Sequence, residues 1–177
     1  MAELFVNALA KSAGIVTTSS NGTIGANTTT ITGISTVGVS VGYLVDTQHF
    51  RGGAKVSALG AGQVTVDKTS TNTASAANQS VNFLGPTTTY ASPASTKSIL
   101  IGGTFSNLTN NNVNITVEVV TGITSTTIAN NIPVPSGSSF VISDAGKTVL
   151  AGGDVVNIYC DTENAIDVTL GVLQGVN

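Results

Sequence analysis

The sequence predicts an all-β protein, and three observations carry that expectation. Short runs rich in Val, Ile and Thr recur between Gly, Asn and Pro turns. No stretch combines helical periodicity with capping residues. Aromatic residues make up 5% of the chain and Trp is absent, so a core must be built from Val, Ile and Leu. Those side chains fit the pleated, half-buried surface of a strand.

Residues 1–27 read as an N-terminal arm or strand followed by a turn. A mildly apolar start, Leu4-Phe5-Val6-Asn7-Ala8-Leu9-Ala10, gives way to Thr17-Thr18-Ser19-Ser20, and Asn21-Gly22 is a tight-turn pair. Residues 28–86 read as a small β barrel or sandwich. Its expected strands are Thr28–Thr32, Val39–Val45, Ala54–Leu59, Gln63–Asp67 and Ser80–Leu84. Gly52-Gly53 and Gly60-Ala61-Gly62 supply the backbone freedom of tight corners. These glycines are not a phosphate cradle, because no Gly-Lys-Ser/Thr and no helix follows them. Residues 87–97, bracketed by Pro86 and Pro93 and rich in hydroxyls, read as an extended linker.

Residues 98–177 read as a second β unit, a sandwich of jelly-roll or immunoglobulin-like type. It opens with Ser98–Phe105 and an exposed Asn107–Asn112 turn. Val113–Val119 alternates strictly, placing Val113, Ile115, Val117 and Val119 inside and Asn114, Thr116 and Glu118 outside. Ser125–Ile132 and Ser139–Ile142 follow, separated by Pro133-Val134-Pro135, which argues against a central strand there. Val155–Cys160 and Ala165–Leu173 complete the set.

Charge excludes more than it suggests. Asp, Glu, Lys and Arg together are 8% of the residues, the formal net charge is -3, and there is one His and one Cys. An ordinary soluble domain carries about 25% charged residues. Mild acidity with no basic cluster argues against a nucleic-acid partner. No apolar run approaches the ~20 residues of a membrane span, and the start does not read as a secretory signal. Five Asn-x-Ser/Thr acceptors, at Asn21, Asn27, Asn78, Asn107 and Asn114, follow from composition alone.

Few residues are suited to catalysis. Asp46-Thr47-Gln48-His49-Phe50-Arg51 contains the sole His and the sole Arg. A Ser/His/Asp triad on Asp46 and His49 lacks a Gly-x-Ser-x-Gly elbow. The favoured alternative is a loop whose Arg51 pairs with a carboxylate or anchors a subunit contact. Cys160 sits in an apolar strand and reads as a buried, inert thiol. Asp144, Asp154, Asp161, Glu163 and Asp167 cluster late in the chain, but without the spacing of a calcium loop. Without Trp there is no aromatic platform for sugar cleavage. The expectation is a non-enzyme with no catalytic residues, no cofactor and no metal.

Two segments resemble virion structural proteins of tailed phages, notably the contractile-tailed phages of marine cyanobacteria. The first runs Thr30-Ile31-Thr32-Gly33 through Val41-Gly42-Tyr43-Leu44-Val45 to Ala54-Lys55-Val56 and Gly60-Ala61-Gly62-Gln63-Val64-Thr65-Val66. The second joins Ile132–Ser138, Val149-Leu150-Ala151-Gly152-Gly153-Asp154 and Asn164-Ala165-Ile166-Asp167-Val168-Thr169, and is similar to small head, neck or tail accessory domains. The resemblance spans most of residues 28–173 and transfers no catalytic residue. It implies a virion location and a non-enzymatic role, first as a capsid decoration or cement protein and alternatively as a neck, tail-fibre or baseplate accessory that touches the host surface. It also implies phage head or neck/tail proteins as partners and a homo-oligomer, with a trimer the first guess. A carbohydrate- or surface-binding module is the competing class.

Overall fold

The computed structural model describes residues 3–143 and 147–176 of the chain. Among them there is no helix; the protein is all-β. The strands are β1 (Leu4–Ala13), β2 (Ile15–Ile24), β3 (Thr30–Thr32), β4 (Leu44–Asp46), β5 (Val56–Gly60), β6 (Gln63–Val66), β7 (Ala76–Gly85) and β8 (Thr87–Ala91). They continue as β9 (Lys97–Asn107), β10 (Val113–Thr121), β11 (Thr124–Val134), β12 (Ser139–Ile142), β13 (Thr148–Leu150), β14 (Val155–Cys160) and β15 (Ile166–Val176). All named pairings are antiparallel.

The chain forms two compact units, and the boundaries differ from those the sequence suggests. One unit takes residues 1–14, 86–160 and 164–177; the other takes 15–85 and 161–163. The smaller unit is thus inserted into the larger one after its first strand.

The larger unit is a sandwich of two sheets. The first has the order β1-β15-β9-β12, with β13 also paired to β9; the second has the order β11-β10-β14-β8. Taken in chain order, with β12 and β13 as two pieces of one strand, this is the order of a double-Greek-key jelly roll. Apolar residues of both sheets meet in one core, including Leu100, Phe105, Val168 and Leu170 from the first and Ile115, Val117 and Ile158 from the second. Phe105 stacks on Phe140 with ring centroids 5.9 Å apart. As the alternation predicts, Val113, Ile115, Val117 and Val119 are buried. Thr116 and Glu118, expected outside, are buried too, because β11 and β14 flank β10 on both sides.

The smaller unit is a single six-stranded sheet in the order β4-β7-β2-β3-β6-β5. It curls back on itself: Leu44 bridges Lys55, and the Val45 and Val56 amides donate to Ala54 and Tyr43 carbonyls at 2.8 and 2.9 Å. The result is a closed barrel filled by Ile24, Ile31, Val56, Val64, Val66, Val81 and Phe83.

Four local expectations are corrected. Of the two readings of the N-terminal segment, strand holds and arm does not: β1 pairs with β15 along most of its length, and β2 lies between β7 and β3 in the barrel. Asn21-Gly22 is not a turn but lies inside β2, where a Cβ on Gly22 would come 2.9 Å from Ile31 Cγ2. The strand then turns five residues later, where Asn27 has φ 47°. Residues 87–97 are not a linker: Thr87–Ala91 form β8, with Thr89 and Tyr90 buried. Pro86 precedes that strand and Pro93 follows it, positions where a missing N–H costs no ladder bond. The Val39–Val45 strand shrinks to β4, because Gly38 (φ 77°) and Gly42 (φ 92°) turn the chain. Pro133 lies in β11, the edge strand of its sheet, as a proline in a strand requires.

Candidate assembly surface

The residues that carry acid-base chemistry are scattered. His49 Nε2 lies 2.7 Å from Gln79 Oε1, and Asp46 Oδ2 accepts from Asn82 Nδ2 at 3.4 Å. The two side chains turn to different partners, so no base-orienting pair forms. Phe50 between them and Arg51 is buried in the barrel core. Arg51 lines a shallow open depression with Asn27, Lys68, Thr69, Ser70 and Thr71, and Lys68 Nζ donates to Gly52 O at 2.6 Å.

Cys160 is fully buried in the sandwich core and belongs to the other unit from His49. Two of the late carboxylates accept from backbone amides, and Asp161 Oδ1 accepts from Thr162 Oγ1 at 3.2 Å. Asp154 Oδ2 takes the Ala151 amide at 2.8 Å, and Asp167 Oδ1 takes the Ser12 amide at 2.9 Å. Asp144 lies outside the described residues. Among the described residues no group of three or more His, Cys, Asp or Glu could hold a metal ion.

The notable surface is the outer face of the first sheet of the jelly roll. Along β1 the inward residues Val6, Ala8, Ala10 and Ala13 pair in register with the buried Val172, Leu170, Val168 and Ile166. Alternation then turns Phe5, Asn7, Leu9 and Lys11 outward. Phe5 is 74% exposed and Leu9 70% exposed.

Cross-strand register extends these positions into rows. Phe5 lies opposite Leu173, Leu173 opposite Ile99, and Ile99 opposite Val149, which is 62% exposed. Two rows further on, Leu9 lies opposite Thr169, Thr169 opposite Thr104, and Thr104 opposite Val141, 56% exposed. Between the two rows lie Asn7, Gly171 and Gly102, with Gly171 opposite both neighbours. Neighbouring strands lie about 4.8 Å apart and alternate residues about 6.8 Å apart, so the side chains of each row touch. The sheet is therefore apolar on its core side and carries one continuous apolar row, Phe5 to Val149, on its solvent side, with glycines beside it and Thr169 and Thr104 between Leu9 and Val141. An exposed apolar patch continuous across several strands marks an interaction surface far better than scattered single residues do.

The outer face of the second sheet is different. There Glu118 Oε2 accepts from Ser125 Oγ at 2.6 Å, and Thr88 Oγ1 donates to Asn157 Oδ1 at 2.8 Å. It is a carpet of hydroxyls and amides around one carboxylate.

The sequence alone did not single out the apolar face. A signal was present: Ile99-Leu100-Ile101 and Leu170-Gly171-Val172-Leu173 are apolar at consecutive positions, which on a strand means both faces. Comparison with protein-family models, with curated proteins and with solved structures finds no match.

Proposed function

We propose that this chain is a non-enzymatic structural protein of a tailed-phage virion that works through contacts with other subunits, first as a capsid decoration or cement protein. The observation that carries the assembly part is the apolar face on which the exposed Phe5, Leu9, Val141 and Val149 flank the half-buried Leu173 and Ile99. A lone soluble domain loses free energy by leaving such a face wet, at roughly 25 cal/mol for each Å² of apolar surface. Assembly recovers it. The virion part is supported by the resemblance of the barrel and jelly-roll segments to phage structural modules. The surrounding surface is neutral and hydroxyl-rich, so it can form short hydrogen bonds across a contact without the desolvation cost of ions. Partners on this reading are phage head proteins and other copies of the chain, with the trimer one arrangement among those to be measured.

Add-back tests the reading. Particles lacking the chain are mixed with purified protein and sedimented through a gradient. The chain should pellet with the heads; recovery only at the top of the gradient overturns the proposal. Binding confined to tails instead favours a neck or tail accessory.

A further inference from the structure

We infer that the outer face of the first sheet stacks on the same face of a second copy of this chain, about a two-fold axis crossing the strands through Asn7 and Gly171. This deepens the assembly reading and rests on it. The face is self-complementary about that line. Outward positions along β1 run Phe5, Asn7, Leu9 and Lys11, and the exposed Glu3 immediately before β1 continues the alternation. A two-fold at Asn7 sets Phe5 over the partner copy's Leu9 and Glu3 over its Lys11. On the far strands the same operation sets Val149 over Val141. Lys97 falls over the row of Ser106, whose cross-strand neighbour is Asp167, within reach of a lysine side chain. Phe5, Leu9, Val141 and Val149 thus meet apolar side chains, Leu173 and Ile99 meet the partner copy's Thr169 and Thr104, and both pairings of charges are between opposite signs.

A two-fold along the strands would set Phe5 over Val149, Leu173 over Ile99 and Leu9 over Val141, but it lays Lys11 over Ser139 and leaves the direct Glu3–Lys11 pairing unmade, so a charge exchange at those two positions separates the axes. Of the two glycines on the axis row, Gly171 is the open one, whereas a Cβ on Gly102 would meet Ile142 O at 2.7 Å. A Cβ on Gly171 would meet nothing closer than Gly102 O at 3.9 Å, so the position is open to the outside and unfilled. Glycine at the axis lets the two backbones approach.

The size of the face sets the strength. Four strands from Glu3 to Lys11 span about 19 by 27 Å, or about 500 Å² on each copy and about 1,000 Å² in all. That sits at the lower limit for a specific interface, which predicts a weak, reversible dimer. Self-association of this kind is isologous, as two-fold contacts are.

Sedimentation equilibrium of the full chain from low to high micromolar concentration tests this, with circular dichroism confirming that each variant folds. The wild type should pass from monomer to dimer. Gly171→Arg places two cations on the axis, and Val149→Asp puts a carboxylate into an apolar row; each should raise the dissociation constant at least about tenfold. Lys11→Glu should weaken the dimer, and Glu3→Lys combined with Lys11→Glu should restore it.

A chain that stays monomeric throughout overturns the inference. So does an oligomer, dimer or trimer, that Gly171→Arg and Val149→Asp leave intact. In particular, edge-to-edge pairing of β1 strands would respond to the β1 charge exchange yet ignore Val149, which lies at the opposite edge of the sheet. The two proposals fail separately. A monomer that still pellets with heads removes the pairing and keeps the virion role; a dimer that ignores particles does the reverse.

Discussion

Excising residues 15–85 should leave a folded jelly roll, and this follows from how the two units are joined. The core of the larger unit draws on Ala13 and on residues from Tyr90 to Val172, and takes nothing from the barrel. The barrel's ends are held together, because Ile15 pairs with Gly85 in the β2–β7 ladder. Paired residues lie about 5 Å apart, so a short turn can join Gly14 to Pro86.

The magnitude comes from loop closure. If the insertion behaved as a slack loop of about seventy residues, closing it would cost roughly 4 kcal/mol by the (3/2)RT ln n rule. A folded barrel with adjacent ends removes nearly all of that cost. A four-residue Gly/Asn turn costs about 1 kcal/mol by the same rule. The excised jelly roll should therefore keep its stability to within about 1 kcal/mol, a shift of about 4–8 °C in melting temperature for a domain of this size. Thermal melts followed by far-ultraviolet circular dichroism measure it. A piece without a cooperative transition, or one melting more than about 15 °C below the corresponding transition of the whole chain, would refute the inserted-domain account.

Three further outcomes are expected. Gly152→Ala would drive its Cβ into the Ala94 carbonyl oxygen, a backbone atom that cannot swing aside, so it should cost at least about 1–3 kcal/mol in a denaturant melt. An unchanged midpoint would show that the turn after β13 does not sit against residues 93–94. Asn107→Ala removes a buried amide whose Nδ2 donates to Asn111 O at 2.7 Å and to Val134 O at 2.9 Å, while its Oδ1 takes the Thr109 amide at 2.8 Å. The loss should be about 2–3 kcal/mol, measured the same way, and a loss below about 0.5 kcal/mol would mean that the turn holds its shape without it. Asp46→Ala with His49→Ala should leave pelleting with phage heads unchanged; reduced pelleting would make that loop a contact.

The fold class was legible because β-branched alternation is local. Val113–Val119 announces a strand and its buried face without reference to any other part of the chain. The N-terminal segment reads equally as arm or strand because its pattern is inverted. On β1 the large residues Phe5 and Leu9 face out, and the small Ala8 and Ala10 face in, so size and burial disagree. Asn21-Gly22 misled because a glycine chosen for close strand packing looks the same in sequence as one chosen for a turn. Hydroxyl-rich β8 passed for a linker because Thr and Tyr serve both. The insertion had no local sign at all, since β1 finds its partner β15 more than a hundred and fifty residues away.

The apolar face was illegible for the same reason. Its rows join Phe5, Leu173, Ile99 and Val149, four residues brought together only by the registers of three ladders. What each strand could show separately was an apolar residue on the wrong face. The acid-base residues were legible as a shortage, and the structure disperses the few there are: His49 to Gln79, Asp46 to Asn82 and Cys160 into the sandwich core.

On the proposed virion reading, the most direct measurement is a cryo-electron microscopy map of intact tailed-phage particles. The account predicts density for the jelly roll and barrel repeated over the head lattice, with the face of Phe5, Leu173, Ile99 and Val149 covered by a neighbouring subunit. Particles without this chain, or with that face open to solvent on every copy, would contradict it.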